Sequence, residues 1–266
     1  MSTRTLRTIA TASLVALATP AVGAPILWID DSSNRLGTVD VATGVGTIIG
    51  SFSGAGFSGQ TMTDLAFDPA GNLWGISFDR IFRVNTSTAA VTFVGNHGIN
   101  GGNALVFGSD GTLYAAGANT SNLYTVNTTT GAGTLVGSIG FASAGDLAFN
   151  GGNLYLSSTT NQLIQVNPVT GAGSAIGGLG VGSVFGLATA ENGVLYATSG
   201  QGVYSVNTST GAATLVQNYG TLGQAYGTAF YQESGAPPPN GVPTPGTLAL
   251  LGAALFGLGA LRRRMR

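Results

Sequence analysis

The stretch Asp146–Gly177, DLAFNGGNLYLSSTTNQLIQVNPVTGAGSAIG, decides the fold. It holds four short apolar runs (LAF, NLYLS, LIQVN and GSAIG) separated by three clusters of Gly, Asn, Ser, Thr and Pro. Short runs of this kind between turn-forming clusters read as β-strands joined by tight turns. The stretch therefore predicts one four-stranded antiparallel sheet.

Outward from it, the unit recurs. Phe67, Phe107, Phe149, Thr189 and Phe230 mark its first strand. Trp28, Trp74, Tyr114, Tyr155 and Tyr196, each preceded by Leu, mark its second. Asp40, Asn85, Asn127, Asn167 and Asn207, each preceded by Val, end its third, and the steps within these series run from 40 to 46 residues. A period near 40 with four strands per repeat is that of a β-propeller blade, whereas solenoids of similar period are helical. The sequence thus predicts an all-β, five-bladed propeller of four-stranded antiparallel blades over 25–232. The series opens at Leu27 with a second strand and closes at Phe230 with a first strand. The ring is expected to close by pairing of the N- and C-terminal strands, which would remove two open sheet edges.

The turns obey one chemistry. Between third and fourth strands the chain reads VNxxTG from Val126, Val166 and Val206, with VDVATG in blade one and VNTSTA in blade two, where Ala89 stands at the Gly position. Asn bonds its own backbone two residues on, and Gly supplies a positive φ. Asn85, Asn119, Asn127 and Asn207 also begin NxS or NxT triplets, which the repeat explains as turns in three of the four cases. Between first and second strands, FDPAGNLW, FGSDGTLY, FNGGNLY and TAENGVLY resemble the DxxGNLY turns of NHL-like and lyase-like propellers, a likeness of fold that carries no activity.

Composition narrows function. The 266 residues include 44 Gly and no Cys, with 7% charged residues. Without cysteine there are no disulfides or thiolate metal sites. Residues 1–24, with Arg4 and Arg7 before an uncharged apolar run, read as a signal peptide for the Sec translocon and signal peptidase. Residues 25–241 keep three arginines against ten acidic residues, net −7, which makes nucleic acid an unsuitable partner.

Few residues are suited to catalysis or metal binding. His97, the single histidine, sits in an inter-blade loop without a nucleophile-elbow signature and reads as a loop residue. Asp64 and Asp146 occupy equivalent places before the first strand, where the other blades have Ala104, Gly186 and Gly227. They could share a Ca²⁺ ion at the channel mouth, but two carboxylates favour the alternative, capping of local backbone amides. A glycosidase would need opposed carboxylates, and Glu191 and Glu233 lie in a turn and in the exit linker. The aromatic second-strand series reads as core rather than a sugar-stacking ladder. The longest inter-blade connection, Ser51–Thr63 with Phe52, Phe57, Gln60 and Met62, is the candidate recognition element; otherwise it is an insertion without a role. No cofactor, catalytic residue or metal ligand is expected.

Residues 233–241 form a Pro/Gly linker, and 242–266 read VPTPGTLALLGAALFGLGALRRRMR. This tail resembles the PEP-CTERM sorting signal recognised by exosortase in Gram-negative bacteria that secrete exopolysaccharide. The resemblance places the sorting motif at Val242, Pro243, Thr244 and Pro245, with Thr244 where the usual motif has Glu. It implies a hydrophobic helix at 247–261 lodged in the inner membrane, then transfer by an exosortase-like enzyme to the cell surface or extracellular matrix. Arg262, Arg263, Arg264 and Arg266 would hold the C-terminus in the cytoplasm. The expected function is a non-catalytic binding or structural component of the exopolysaccharide matrix, with a polysaccharide or surface protein as ligand. The alternative is an enzyme or lectin acting on extracellular polysaccharide.

Overall fold

The computed structural model describes residues 24–231 and 233. The stretches read from the sequence as signal peptide (save Ala24), sorting motif, hydrophobic helix and arginine cluster lie outside the described residues. Those residues contain no helix, and so none long and apolar enough to cross a membrane.

Twenty strands form five four-stranded antiparallel sheets around one axis. Blade one holds β1 (Ile26–Asp31), β2 (Arg35–Asp40) and β3 (Gly46–Ser51). Blade two is β4 (Met62–Phe67), β5 (Leu73–Ser77), β6 (Arg80–Val84) and β7 (Val91–Asn96). Blade three is β8 (Gly102–Phe107), β9 (Leu113–Gly117), β10 (Asn122–Val126) and β11 (Gly133–Ser138). Blade four is β12 (Ser143–Asn150), β13 (Asn153–Ser158), β14 (Gln162–Val166) and β15 (Gly173–Gly178). Blade five is β16 (Val184–Thr189), β17 (Leu195–Ser199), β18 (Gly202–Val206) and β19 (Ala213–Asn218). The last strand, β20 (Ala225–Phe230), joins blade one, whose order is β20-β1-β2-β3, with Leu27 opposite Phe230 and Asp30 opposite Gly227.

The blades hold together through apolar clusters, each shared by two neighbours: one joins blades five and one, and the others join one and two, two and three, three and four, and four and five. The second-strand aromatics supply them, as expected of core. Trp28 meets Phe67 of the next blade at 5.5 Å, Trp74 meets Phe107 at 5.7 Å, Tyr114 meets Phe149 at 5.8 Å and Tyr196 meets Phe230 at 5.6 Å between ring centres. Tilted and edge-on pairs of this spacing add roughly 0.5–1.5 kcal/mol beyond the area they bury. Tyr155 finds Thr189 at the corresponding place in blade five and so has no ring to meet.

At the rim the blades interlock through glycine. A Cβ on Gly95, Gly137 or Gly177 would overlap the carbonyl of Thr130, Thr170 or Thr210 in the following blade's outer turn. Ala89 takes the left-handed conformation (φ 60°) that Gly44, Gly131, Gly171 and Gly211 take in the other blades, so the repeat geometry prevails over the side chain's preference.

The connection Ser51–Thr63 corrects the sequence reading. Phe52, Phe57 and Met62 are buried in the cluster between blades one and two, with Phe57 against Phe82 at 5.4 Å. Ser53 pairs in a parallel bridge with Ala90, and the Gln60 side chain accepts a hydrogen bond from Ser77 Oγ at 2.7 Å. Its aromatic residues fold inward to cover apolar strand, so Phe52, Phe57 and Met62 are packing residues rather than exposed recognition groups.

Candidate functional site

Five equivalent backbone amides, those of Leu65, Leu105, Leu147, Leu187 and Thr228, point from the five innermost strands to the axis. Two carboxyl groups receive all of them. Asp64 accepts from Leu65 N–H at 2.7 Å, Leu105 N–H at 2.6 Å and Thr228 N–H at 3.3 Å. Asp146 accepts from Leu147 N–H at 2.7 Å and Leu187 N–H at 2.6 Å, and from Thr228 Oγ–H at 3.2 Å. Each aspartate thus caps its own strand and the next blade's, and Thr228 of blade one ties both together.

The remaining equivalents are small for a reason. A Cβ on Gly227 would overlap Asp64 and crowd Asp30 Oδ1 at 2.6 Å, and one on Gly186 would overlap Thr198 and meet Thr228 Oγ1 at 2.7 Å. Asp30, in β1 opposite Gly227, enters the axis through that space. Sequence reasoning counted two carboxylates in the ring because it indexed first strands alone; the structure brings a third from a second strand. An acidic residue inside the apolar run ILWID was the signal that could have found it.

All three are fully buried, and their electrostatics follow from that. Burial pushes Asp30 up to about 7, and its oxygens make no full hydrogen bond. Burial also holds Asp64 and Asp146 well above the usual carboxylate range, and the neighbouring Asp146 carboxyl adds to the rise at Asp64. Protonation is the expected response of carboxyls packed together away from water. Their oxygens being committed to amides, they serve as a hub that joins blades.

Above the hub, on the face where the innermost strands begin, lies a mouth of about 370 Å³. Thr63, Asn103, Gly145, Phe185 and Tyr226 line it, each one residue before a hub-ring position in a different blade. Phe78 stands on the rim, half exposed, and Thr61 at the end of the 51–63 strap contributes to the wall. Gly145 is required here because a Cβ would overlap the backbone of Phe185, whose ring meets Tyr226 edge-on at 6.2 Å.

On the opposite face a pocket of about 440 Å³ opens where Thr189 replaces the repeat's phenylalanine. Asp110, Tyr114, Phe149, Thr189 and Glu233 line it. Burial, with the Asp146 charge, holds Glu233 well above its ordinary range. Hydrogen bonds from Thr112 hold Asp110 below its own. The sequence reading puts Glu233 in the exit linker, and the structure sets it in this pocket.

His97 is buried rather than displayed in its loop. Its Nε2 lies 3.0 Å from the Ser77 carbonyl, and its Nδ1 accepts from Ile99 N–H at 3.0 Å, which fixes a neutral ring; burial lowers its pKa further.

Comparison with known proteins agrees with the fold. The family model of a repeat of unknown function (DUF6923) matches residues 65–190, from the first strand of blade two to that of blade five. No curated protein sequence matches. A chain of the nidogen/laminin complex superposes with a TM-score of 0.52 at 12% identity, covering 77% of this chain and 98% of that one. A structure from work on the de novo evolutionary emergence of a symmetrical protein gives 0.50 at 18% identity, covering 74% and 94%. A protein of unknown function from Bacteroides thetaiotaomicron gives 0.51 at 18% identity, covering 65% and 53%. At these identities the likeness is one of fold. The chain is a β-propeller repeat protein.

Proposed function

We propose that this propeller is exported, held for a time at the inner membrane by residues 247–261, and sorted to the cell surface or matrix, where it binds or structures exopolysaccharide without catalysis. The observation that carries the non-catalytic reading is the hub. The carboxyls that converge on the axis are sealed from solvent, and those of Asp64 and Asp146 are engaged by backbone amides, so they are not placed to flank a substrate bond. The open mouth above them is lined by Thr, Asn and aromatic side chains, which suits binding.

The sorting reading rests on residues 242–266 and their resemblance to the PEP-CTERM signal. The uncharged run Thr247–Leu261 has fifteen residues, about 22 Å as a helix against a hydrocarbon core of ~30 Å. A short span followed by Arg262, Arg263, Arg264 and Arg266 suits temporary anchoring with the propeller outside. Mass spectrometry of the protein from its native host tests this. The mature chain is expected to lack the arginine tail, with the cut near Pro245; an intact chain ending at Arg266 in the cell envelope would refute it.

A second reading, cleavage of extracellular polysaccharide, is favoured by the opposite pocket. There Asp110 and Glu233 are pushed to opposite sides of the usual carboxylate range, the pattern of a base and an acid. In the first reading Asp110 is a turn residue, both its oxygens bonded to Thr112. Release of reducing ends from host exopolysaccharide, abolished in Asp110→Asn and Glu233→Gln, would move the assignment to an enzyme.

A further inference from the structure

We propose that the axial mouth over the hub binds one neutral, polyhydroxylated sugar ring at the end of a glycan chain. The inference rests on the binding reading above and specifies its ligand.

The wall combines aromatic surface with hydrogen-bond acceptors. Phe78, Phe185 and Tyr226 offer ring faces and edges to apolar C–H groups, while Thr63 and Asn103 are the polar groups beside them. The Thr63 hydroxyl proton is already committed to the carbonyls of Ile76 and Gly102, both at 3.0 Å, so its oxygen can only accept. Asn103 is 6% exposed; its amide nitrogen donates to the Ser143 carbonyl at 3.3 Å and its own carbonyl oxygen has no partner. A buried acceptor without a donor is unfavourable, and a ligand carrying O–H groups relieves it. The mouth therefore asks for a molecule rich in hydroxyl donors with an apolar face.

Charge and depth set the remaining terms. No charged side chain lines the mouth, so an anionic sugar would find no cationic partner there, and residues 25–241 carry net −7, so an anionic sugar is disfavoured. The hub seals the axis one residue below Thr63, so the site is a dead end. A chain cannot pass through; it can present only its last ring. The volume of about 370 Å³ is near the lower limit of small-molecule sites, roughly 300–1,000 Å³, and suits one ring rather than several.

The test is saturation-transfer NMR on the full chain in a sugar-free detergent. The probes are glucose, galactose, mannose and N-acetylglucosamine, with glucuronate as the charged comparison. At least one neutral sugar is expected to bind at or below ~10 mM, with glucuronate at least about tenfold weaker. Tyr226→Ala should weaken binding by about tenfold or more. Phe78→Ala, at an exposed rim position that leaves packing intact, should weaken it severalfold with an unchanged melting temperature. The proposal is overturned if no neutral sugar binds, if glucuronate binds as well, or if Phe78→Ala and Tyr226→Ala bind like the parent. A chain processed as proposed above that binds no sugar sinks this ligand alone; one that binds sugar yet keeps its arginine tail sinks the sorting reading alone.

Discussion

The rim and the axis of this propeller solve the same problem, five sets of backbone amides in need of acceptors, in opposite ways. At the rim each blade serves itself. Asn85, Asn127, Asn167 and Asn207 each accept from the amides two and three residues on, at 2.8–3.1 Å, and Asp40 does the same in blade one. At the axis two aspartates serve all five strands. The rim has room for five copies of one device, whereas five carboxyls at the axis would collide and repel. The symmetry of the repeat therefore breaks where the blades converge, and glycine at 186 and 227 makes the space.

The sharpest way to break this contrast is to remove one acceptor from each region. Asp146→Ala leaves the amides of Leu147 and Leu187 and the Thr228 hydroxyl without their acceptor in a dry site, and about 3–5 kcal/mol of stability should be lost. Urea unfolding would show it as a large drop in midpoint. A loss below about 1 kcal/mol would mean that water fills the hub and that the aspartates are not its fasteners.

The next effect is one of pH. Asp30 has a folded pKa of about 7 against an ordinary 3.8, so its protonated form is favoured by folding. Its contribution is full below 3.8 and is lost as pH rises through about 7; Asp64 and Asp146, also raised, act in the same direction. On the acid side Asp110, held low by Thr112, contributes above 3.8 and loses that contribution as pH falls. The melting temperature should therefore be highest near pH 4–5 and fall toward pH 8, and Asp30→Asn should flatten that fall. A profile of Asp30→Asn parallel to the parent's would refute the assignment.

The smallest effect belongs to the rim. Asn127→Ala should lose about 1 kcal/mol, as should Asn207→Ala, and the two should add, because each turn is local to its blade. Strong coupling between them would show that the rim is as cooperative as the axis.

The same contrast explains what was legible in the sequence. Turns and strands were, because their partners are neighbours: VNTTTG states its own hydrogen bonds. The hub was not, because Asp64 reaches amides 41 and 164 residues away and Asp146 reaches a hydroxyl 82 residues away. Asp64 and Asp146 were found as equivalents of one another, but Asp30 lay on a different strand of the repeat. The inward packing of the 51–63 strap was not legible, because Phe52 and Phe57 amid glycine look like an exposed loop. Their burial is decided by β4 and β6, whose surface they cover. The axial mouth was invisible for the same reason as the hub, being built from residues of all five blades.

The pairing of β1 with β20 also has a consequence in time. A chain that emerges N-terminus first presents Leu27, Ile29 and their strand long before Phe230 exists to cover them. Until then blade one has three strands and an open edge able to recruit any passing strand. Bringing the two ends together is a loop closure over nearly the whole propeller, which makes it a late and slow step. A chain that stops short of residue 230 therefore yields no smaller closed propeller, only a ring whose blade one keeps an open edge.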